Sequence, residues 1–170
     1  MVRLLEESQS EFLKLTAEVS DAQWTAKSTP ESWSVQQIAE HLVLGELGML
    51  TKIQEALANP PKADWEQDDA RKARFLDRAL PDRRHKVIAP APLHPRHDWS
   101  RAETLSRYQA GRSKTLHFVA GIERPIKSHC SDHPFPIFNS LSAYHWLLYI
   151  PLHNTRHNQQ IEEVLKELRA

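Results

Sequence analysis

The sequence is poor in several residue types on which common protein functions depend. Its one cysteine, Cys130, cannot form a disulfide within the chain. Four glycines among 170 residues disfavour the glycine-rich loops that cradle phosphate groups. No apolar run approaches a length of about 18 residues, which a membrane-spanning helix needs. These shortages argue against disulfide-stapled domains, nucleotide enzymes with a phosphate loop, and membrane-spanning proteins.

The chain also lacks an excess of charge of either sign, since 22 lysines and arginines balance 22 aspartates and glutamates. Without a basic field, neither nucleic acid nor an anionic membrane is an expected partner. Residues Met1 to Glu7 include acidic side chains where a signal peptide has an apolar run. A cytoplasmic protein is the resulting expectation.

Apolar side chains recur at helical spacing in four long segments, which predicts an all-α fold. The first segment runs from Val2 to about Val19. The second begins after a capping box, Ser34 to Gln37, and ends before Asn59-Pro60-Pro61. Between helices two and three we expect a long polar connection, residues 62–99, with a short helix from Trp65 to Leu80.

The third and fourth segments complete the pattern. A capping box from Ser100 to Glu103 opens helix three, and Gly121 follows its last apolar residues. The last helix runs from about Ser140 to Leu168 and contains Pro151, which cannot donate to the carbonyl four residues back, so we predict a kink or a local widening there. No segment alternates as a strand does. The simplest packing is a single domain, residues 1–170, folded as an up-and-down four-helix bundle.

Ten histidines are many for this length, and three lie on helix faces that are predicted to point inward. His153 and His157 are four residues apart, so both rings project from one face of the last helix and can reach one ion. His41 lies on the inward stripe of helix two, beside Leu42. A buried imidazole needs partners for its nitrogens, and a backbone carbonyl or carboxylate also serves. The residues alone leave two interpretations, core histidines or metal ligands, and three inward histidines on two helices favour the second.

Two motifs resemble those of the DinB-like, or YfiT-like, family of metal-dependent enzymes. Residues Trp33 to Leu42, W-S-V-Q-Q-I-A-E-H-L, are similar to the family's tryptophan, serine and histidine pattern at the start of the second helix. Residues His153 to Ile161 have the H-x-x-x-H-x-x-Q-I pattern typical of its last helix. The sequence departs from the family pattern at Phe138-Asn139-Ser140, where a glycine is frequent before the last helix.

The resemblance implies a four-helix bundle in which His41, His153 and His157 hold one divalent metal ion and leave a coordination position for water or substrate. Imidazole ligands suit zinc, nickel, copper and iron; zinc is the first choice of metal and nickel the second. A metal-bound water or thiolate would then be the nucleophile, in hydrolysis of a small molecule or in transfer of a low-molecular-weight thiol. The alternatives are a metal-binding or stress-response bundle without turnover, which His145 as a fourth ligand would favour, and a metal-free bundle.

Other residues have weaker claims to a role at this site. His145 and Tyr149 form a stripe towards His153, where they assist proton transfer or, more simply, pack. Glu40 points about 100° away from His41 on an ideal helix, so it is expected to face solvent or to support a ligand rather than to be one. Arg156 either steers an anionic substrate or extends to solvent.

The remaining histidines and tryptophans are expected to be ordinary loop and core residues. Solvated loops, rather than separate sites, are predicted around two groups, His129-Cys130-His133 and His94 with His97. Three tryptophans are predicted to pack between helices rather than to stack on a substrate; they are Trp24, Trp33 and Trp146. Because large apolar helix faces often pair, a homodimer is a further expectation.

Overall fold

Six α-helices make up most of residues 1–85 and 87–169, which the computed structural model describes. They are α1 Val2–Ala17, α2 Asp21–Thr25, α3 Val35–Ala58, α4 Glu66–Ala79, α5 Arg101–Ala120 and α6 Ala143–Glu167. A 3-10 turn, Ala91–Leu93, lies in the connection between α4 and α5. Two short strands, β1 Cys130–Asp132 and β2 Ser140–Ser142, pair antiparallel with Ser131 opposite Leu141.

Serine caps determine where three of the four long helices begin. The predicted capping box of α3 is confirmed: Ser34 accepts from the Gln37 backbone, and the Gln37 side chain accepts from the backbone of Ser34. Ser100 caps α5 by accepting from the backbone N–H of Glu103. At the start of α6, Ser142 and His145 form a further capping box, in which the imidazole takes the place of the usual glutamate or glutamine.

The four long helices form the predicted four-helix bundle, with a long connection between α3 and α5. Helix α6 lies between α1 and α3, helix α3 lies between α6 and α5, and α5 also contacts α1. Helices α1 and α3, although consecutive among the long helices, therefore lie at opposite corners of the bundle. The most extensive interface joins α3 to α6, which carry the three inward histidines.

The apolar core has two parts, and a polar layer lies between them along every long helix. One part includes Leu5, Met49 and Leu152, and the other includes Phe12 and Val43. Between the two parts every long helix contributes a buried polar residue at the same level; these are Ser8 of α1, Glu46 of α3, Arg112 of α5 and Asn154 of α6. Buried Thr115 of α5 and Asn158 of α6 bond to members of this layer.

Three sequence expectations are wrong in detail. No strand was predicted, but β1 and β2 pair; three residues each are too few for alternation to be recognised in the sequence. The connection after α1 contains a further helix, α2, held by its own capping box at Ser20. Helix α6 is α-helical throughout, so the local widening predicted at Pro151 is not observed, and a kink there stays a prediction. The predicted short helix in the long connection is present as α4.

The backbone before β2 explains how the chain manages without the family's glycine. Asn139 has a φ of 54°, in the left-handed region. Asparagine adopts this conformation more readily than most other non-glycine residues. None of the helices in the part of the chain described is long and apolar enough to cross a membrane.

Candidate metal centre

Three imidazoles meet where α3 faces α6. The Nε2 atom of His153 lies 3.2 Å from Nε2 of His41 and 3.1 Å from Nε2 of His157. One nitrogen from each of the three rings lies within 4.8 Å of the others. His41 and His157 are buried, and His153 keeps slightly more exposure where it borders a cavity. The structure thus brings together the three residues that the sequence singled out.

Hydrogen bonds on the far side of two rings determine which nitrogen carries the proton. Nδ1 of His41 lies 2.8 Å from the carbonyl oxygen of Leu93, which can only accept, so Nδ1 is protonated and Nε2 holds the lone pair. Nδ1 of His157 donates in the same way to Oε1 of Gln160 at 2.7 Å. The one proton that neutral His153 could place on Nε2 cannot fully satisfy both neighbouring lone pairs. A cation between the rings would satisfy all three nitrogens.

Burial also keeps these rings in the form that binds metal. It lowers the pKa of His41, and the nearby His94 lowers it further, although the bond to the Leu93 carbonyl acts in the opposite direction. Burial holds the pKa of His153 and of His157 well below the ordinary value, and charge on a neighbouring histidine of the cluster lowers both further. Neutral imidazole is the metal ligand, so the donor set fits a divalent ion.

A glycine allows α3 to approach the ring of His153. A Cβ atom at Gly45 would lie 3.2 Å from Cε1 of His153, which is tighter than ordinary van der Waals contact. On the other side of the cluster, the ring of Trp33 packs on His41 with 5.0 Å between centroids. Trp33 therefore forms part of the site, beyond the packing role that was predicted for it.

One end of the connection between α4 and α5 is held by Glu40. Its Oε1 accepts from the backbone N–H groups of Arg96 at 2.6 Å and His97 at 2.9 Å, and lies 2.7 Å from Nδ1 of His97. Glu40 is only 2% exposed, so the expectation of a solvent-facing side chain is wrong. The bonds hold in place the stretch of backbone that presents the Leu93 carbonyl to His41. His97 is consequently not a free loop histidine.

The other end of that connection is held by Arg156 of α6. Its guanidinium donates to three backbone carbonyls, those of Leu80, Asp82 and His85. Neither predicted role of Arg156, steering an anion or extending to solvent, describes these contacts, which instead hold the connection against α6. Residues 80–85 and 87–97, which we call the closing segment, are thus fastened to α6 at one end and α3 at the other.

The histidine cluster opens onto a cavity of about 880 Å³. The cavity has an aromatic side, where His133 stacks on Trp146 with 4.9 Å between centroids and 15° between planes. The prediction of a solvated His133 is therefore wrong, because the pairing of β1 with β2 returns this loop over α6. Cys130 lies in β1, where burial raises the pKa of its thiol, and His129 bonds the carbonyl of Asn59.

The two residues predicted to assist catalysis are placed differently. His145 is 2% exposed; its Nδ1 faces the Ser142 hydroxyl at 2.8 Å, and its Nε2 faces the Asp69 carbonyl at 3.0 Å. Tyr149 lines the cavity with its ring centroid 5.9 Å from that of His153, and burial raises its pKa to about 12. Of these two residues, only Tyr149 is therefore in a position to contact a reactant in the cavity.

The remaining aromatic and loop residues divide between core and cavity. Trp24 is buried as predicted, and Trp146 both packs in the core and borders the cavity, with its Nε1 donating to the Ser131 hydroxyl at 2.9 Å. His94 also lines the cavity, where its ring lies edge-on to Trp33. His94 is nevertheless exposed, as expected, and its Nε2 bonds the Ala89 carbonyl.

Sequence reasoning assigned no role to three residues that shape this site: Leu93, Gln160 and His133. Gln160 had a usable signal, since it follows His157 by three residues and therefore lies on the same helix face. Leu93 acts through its backbone carbonyl, which no side-chain pattern reveals. His133 enters the cavity only through strand pairing.

Comparisons with known proteins agree with this architecture. The chain matches the model of the DinB superfamily over residues 4–161. It is 23% identical over 151 residues to the uncharacterized protein YuaE of Bacillus subtilis strain 168, with 88% of each chain covered. Its fold matches that of YfiT from Bacillus subtilis with a TM-score of 0.64 and 14% identity, covering 99% of this chain and 85% of that one. YfiT is described as a probable metal-dependent hydrolase with an unusual four-helix bundle topology.

Proposed function

This chain belongs to the DinB superfamily, and we propose that it is a metal-dependent enzyme that acts on a small molecule at the histidine cluster. His41, His153 and His157 would hold one divalent ion, with zinc as the first choice and nickel as the second. The observation that carries the proposal is the convergence of their three Nε2 atoms within hydrogen-bond distance. An ion held by neutral imidazoles supplies Lewis acidity, which polarises an oxygen or sulfur atom of a reactant.

The number of ligands supports catalysis over storage. Within residues 1–85 and 87–169, the group that could hold an ion has three members. His145, which as a fourth ligand would favour a protein without turnover, is bonded to the α6 cap and to the Asp69 carbonyl. Three protein ligands with a further position left for a reactant are typical of catalytic sites. The adjoining cavity gives a small molecule access to that position.

The protein's own residues would bind the reactant, exclude water and maintain the ligand geometry. The Leu93 carbonyl and the Gln160 side chain keep the protons of His41 and His157 on the nitrogens that face away from the cluster. Outer hydrogen bonds of this kind orient metal-binding histidines and raise their basicity. Tyr149 stays protonated near neutral pH because burial raises its pKa to about 12, so its hydroxyl can donate a hydrogen bond to a reactant.

Hydrolysis is the reaction that we propose first, supported by the description of the structurally similar YfiT. Transfer of a low-molecular-weight thiol is the second candidate. A cavity of about 880 Å³ lies near the upper end of the range for small-molecule pockets, a volume that is compatible with a thiol and a second reactant together. The reactions are distinguished by supplying an uncharged ester alone, or an uncharged electrophile with a thiol, and measuring ester cleavage or thiol consumption.

The first test is the metal content of protein purified without an affinity tag. We expect about one equivalent of divalent metal in the wild type and almost none in His153→Ala or His157→Ala. His117→Ala is the matched control, because His117 is exposed on α5 and should leave the metal content unchanged. Circular dichroism of each variant separates loss of the site from loss of the fold. Absence of metal in every form, with failed reconstitution, would refute the proposal and leave a metal-free bundle.

A further inference from the structure

The cavity contains a second set of side chains beside the histidine cluster, and these are mostly aromatic. We define the aromatic wall as His133, Phe138, Trp146 and Tyr149, all of which line the cavity. The His133 ring lies 4.5 Å from Phe138, 4.9 Å from Trp146 and 5.5 Å from Tyr149, measured between centroids. Tyr149 connects the wall to the cluster, since its ring is 5.9 Å from that of His153. A ligand on the wall would therefore lie next to the histidine cluster.

The cations that line the cavity already have partners. Lys52 pairs with Glu55 at 2.5 Å, and Arg83 makes a two-pronged contact with Glu163. Arg156 is bonded to the backbone carbonyls of the closing segment. An anionic ligand would compete with these carboxylates and carbonyls for the same cations, whereas an uncharged ligand leaves the contacts undisturbed. The cavity is thus better suited to a neutral molecule.

His133 supplies a hydrogen-bond donor within this wall, and its contacts determine which ring nitrogen carries the proton. Its Nδ1 accepts from the backbone N–H of Phe135 at 2.9 Å. The neutral ring must then carry its proton on Nε2, so that atom can only donate. Burial lowers the pKa of His133 to about 4, with a further lowering by Lys52, so the ring is uncharged near neutral pH. The wall therefore combines flat apolar faces with a neutral donor on His133, beside the hydroxyl of Tyr149 at the end nearer the histidine cluster.

We infer that the aromatic wall binds a flat, uncharged portion of the substrate that carries a hydrogen-bond acceptor, and that Nε2–H of His133 donates to that acceptor. This deepens and rests on the proposed function, since it assigns a substrate class to the same site. Stacking on aromatic side chains favours flat rings over saturated ones. The donor favours a carbonyl or similar oxygen attached to the ring.

The test is a ligand-observed NMR titration with three probes of similar size. Acetophenone is flat, neutral and carries an acceptor; benzoate adds a negative charge; and cyclohexyl methyl ketone keeps the acceptor without the flat ring. Each titration uses both EDTA-treated and zinc-supplemented protein. We expect acetophenone to bind the EDTA-treated form most tightly of the three probes, because the wall is built from the protein alone; in the zinc-supplemented form the benzoate carboxylate can also coordinate the ion. Binding to the EDTA-treated form separates failure of this inference from failure of the metal proposal.

The variant His133→Phe keeps an aromatic ring in the wall but removes the donor. We expect it to weaken acetophenone binding about fivefold, the usual contribution of one neutral hydrogen bond. The variant should bind cyclohexyl methyl ketone more weakly than it binds acetophenone. His117→Phe, on the exposed face of α5, is the matched control and should bind as the wild type does. Equal affinity of wild type and His133→Phe, equal affinity for the three probes, or no binding of acetophenone would each overturn the inference.

Discussion

Two polar clusters are buried within the bundle, and they differ in how completely their atoms are paired. The first is the polar layer centred on Arg112, which is fully buried. Its guanidinium donates to Glu46 at 2.9 Å, Asn154 at 3.0 Å and Ser8 at 3.1 Å, and also to the Leu5 carbonyl. These contacts join all four long helices. The second cluster is the three histidines. There the Nε2 atoms of His41 and His157 both present lone pairs to His153, which has at most one proton to share between them.

The difference shows that burial alone does not separate structural from functional polar groups. Buried polar atoms in folded proteins nearly always have partners, so a cluster that its own atoms satisfy needs no ligand. The Arg112 layer is of that kind and serves to fix the relative positions of the helices. The histidine cluster is incomplete without a cation, and it borders a cavity, which the proposed function explains.

Removing the centre of the polar layer should have the largest effect on stability. Arg112→Met leaves the Glu46 carboxylate buried without its cation, which we expect to lower the free energy of unfolding by about 3–5 kcal/mol. Urea unfolding of metal-free protein measures this change. The double variant Arg112→Met with Glu46→Leu should recover most of the loss. A cost below about 1 kcal/mol for the single variant would mean that the layer is not a structural unit.

Zinc should stabilise the folded protein only by binding to the histidine cluster. At free zinc about a hundredfold above Kd, we expect the free energy of unfolding of the wild type to rise by about 2.7 kcal/mol. His157→Leu should show no such rise, while its metal-free stability differs from that of the wild type by less than about 1.5 kcal/mol. Urea unfolding with and without zinc measures both quantities. Equal stabilisation of wild type and variant would place the zinc elsewhere.

Acid should lower the stability of the folded protein by protonating His133 in the cavity, whereas the Arg112 layer should not respond. The folded pKa of His133, about 4, is below its unfolded value, so the folded state binds fewer protons and stability is lost as pH falls from about 6.5 towards 4. Between about pH 7.5 and 4.5, metal-free His133→Phe should lose about 1.5 kcal/mol less than the wild type, a figure reduced because the ring is partly exposed and solvent screens its charge. Urea unfolding at the two pH values measures it. Arg112 stays charged across this range, so the polar layer should not contribute to the acid effect. An identical loss of stability in His133→Phe and wild type would contradict the assignment of the effect to His133.

Loosening the closing segment should weaken metal binding more than folding. Glu40→Gln removes the carboxylate that holds the backbone of Arg96 and His97, and with it the support for the Leu93 carbonyl on His41. We expect the zinc Kd to rise about tenfold, as is usual for outer hydrogen bonds of metal-binding histidines. Competition with a chromogenic chelator measures the Kd. Glu55→Gln on the exposed face of α3 is the control, and an equal rise there would show a general charge effect.

Two glycines of α3 offer the smallest and most closely matched comparison. Gly48→Ala meets only Leu93, at 3.7 Å, and should stabilise the helix by about 0.5–1 kcal/mol without changing the zinc Kd. Gly45→Ala gains the same helix preference but presses on His153 at 3.2 Å, so its zinc binding should weaken. Thermal unfolding and chelator competition on both variants give the result. Identical zinc binding would show that the His153 ring shifts without consequence.

Local sequence rules predicted the main helices and two of the three histidine positions with little ambiguity. The spacing of apolar residues and the cap at Ser34 fixed the face that α3 buries. The four-residue separation of His153 and His157 was enough to place both rings together. The buried Arg112 and Glu46 were missed, although a charged residue within an apolar stripe, as at Glu46 directly after Gly45, is a usable signal.

The sequence by itself thus determined which helices form, which faces they bury and which imidazoles face inward, because helical periodicity and capping depend on residues only a few positions apart. The tertiary structure decided the proton positions on His41, the buried role of Glu40 and the placement of His133 on the aromatic wall. Each of these depends on a partner chosen by packing, such as the Leu93 carbonyl 52 positions from His41. Local periodicity carries no information about such partners, so only the folded chain could reveal them.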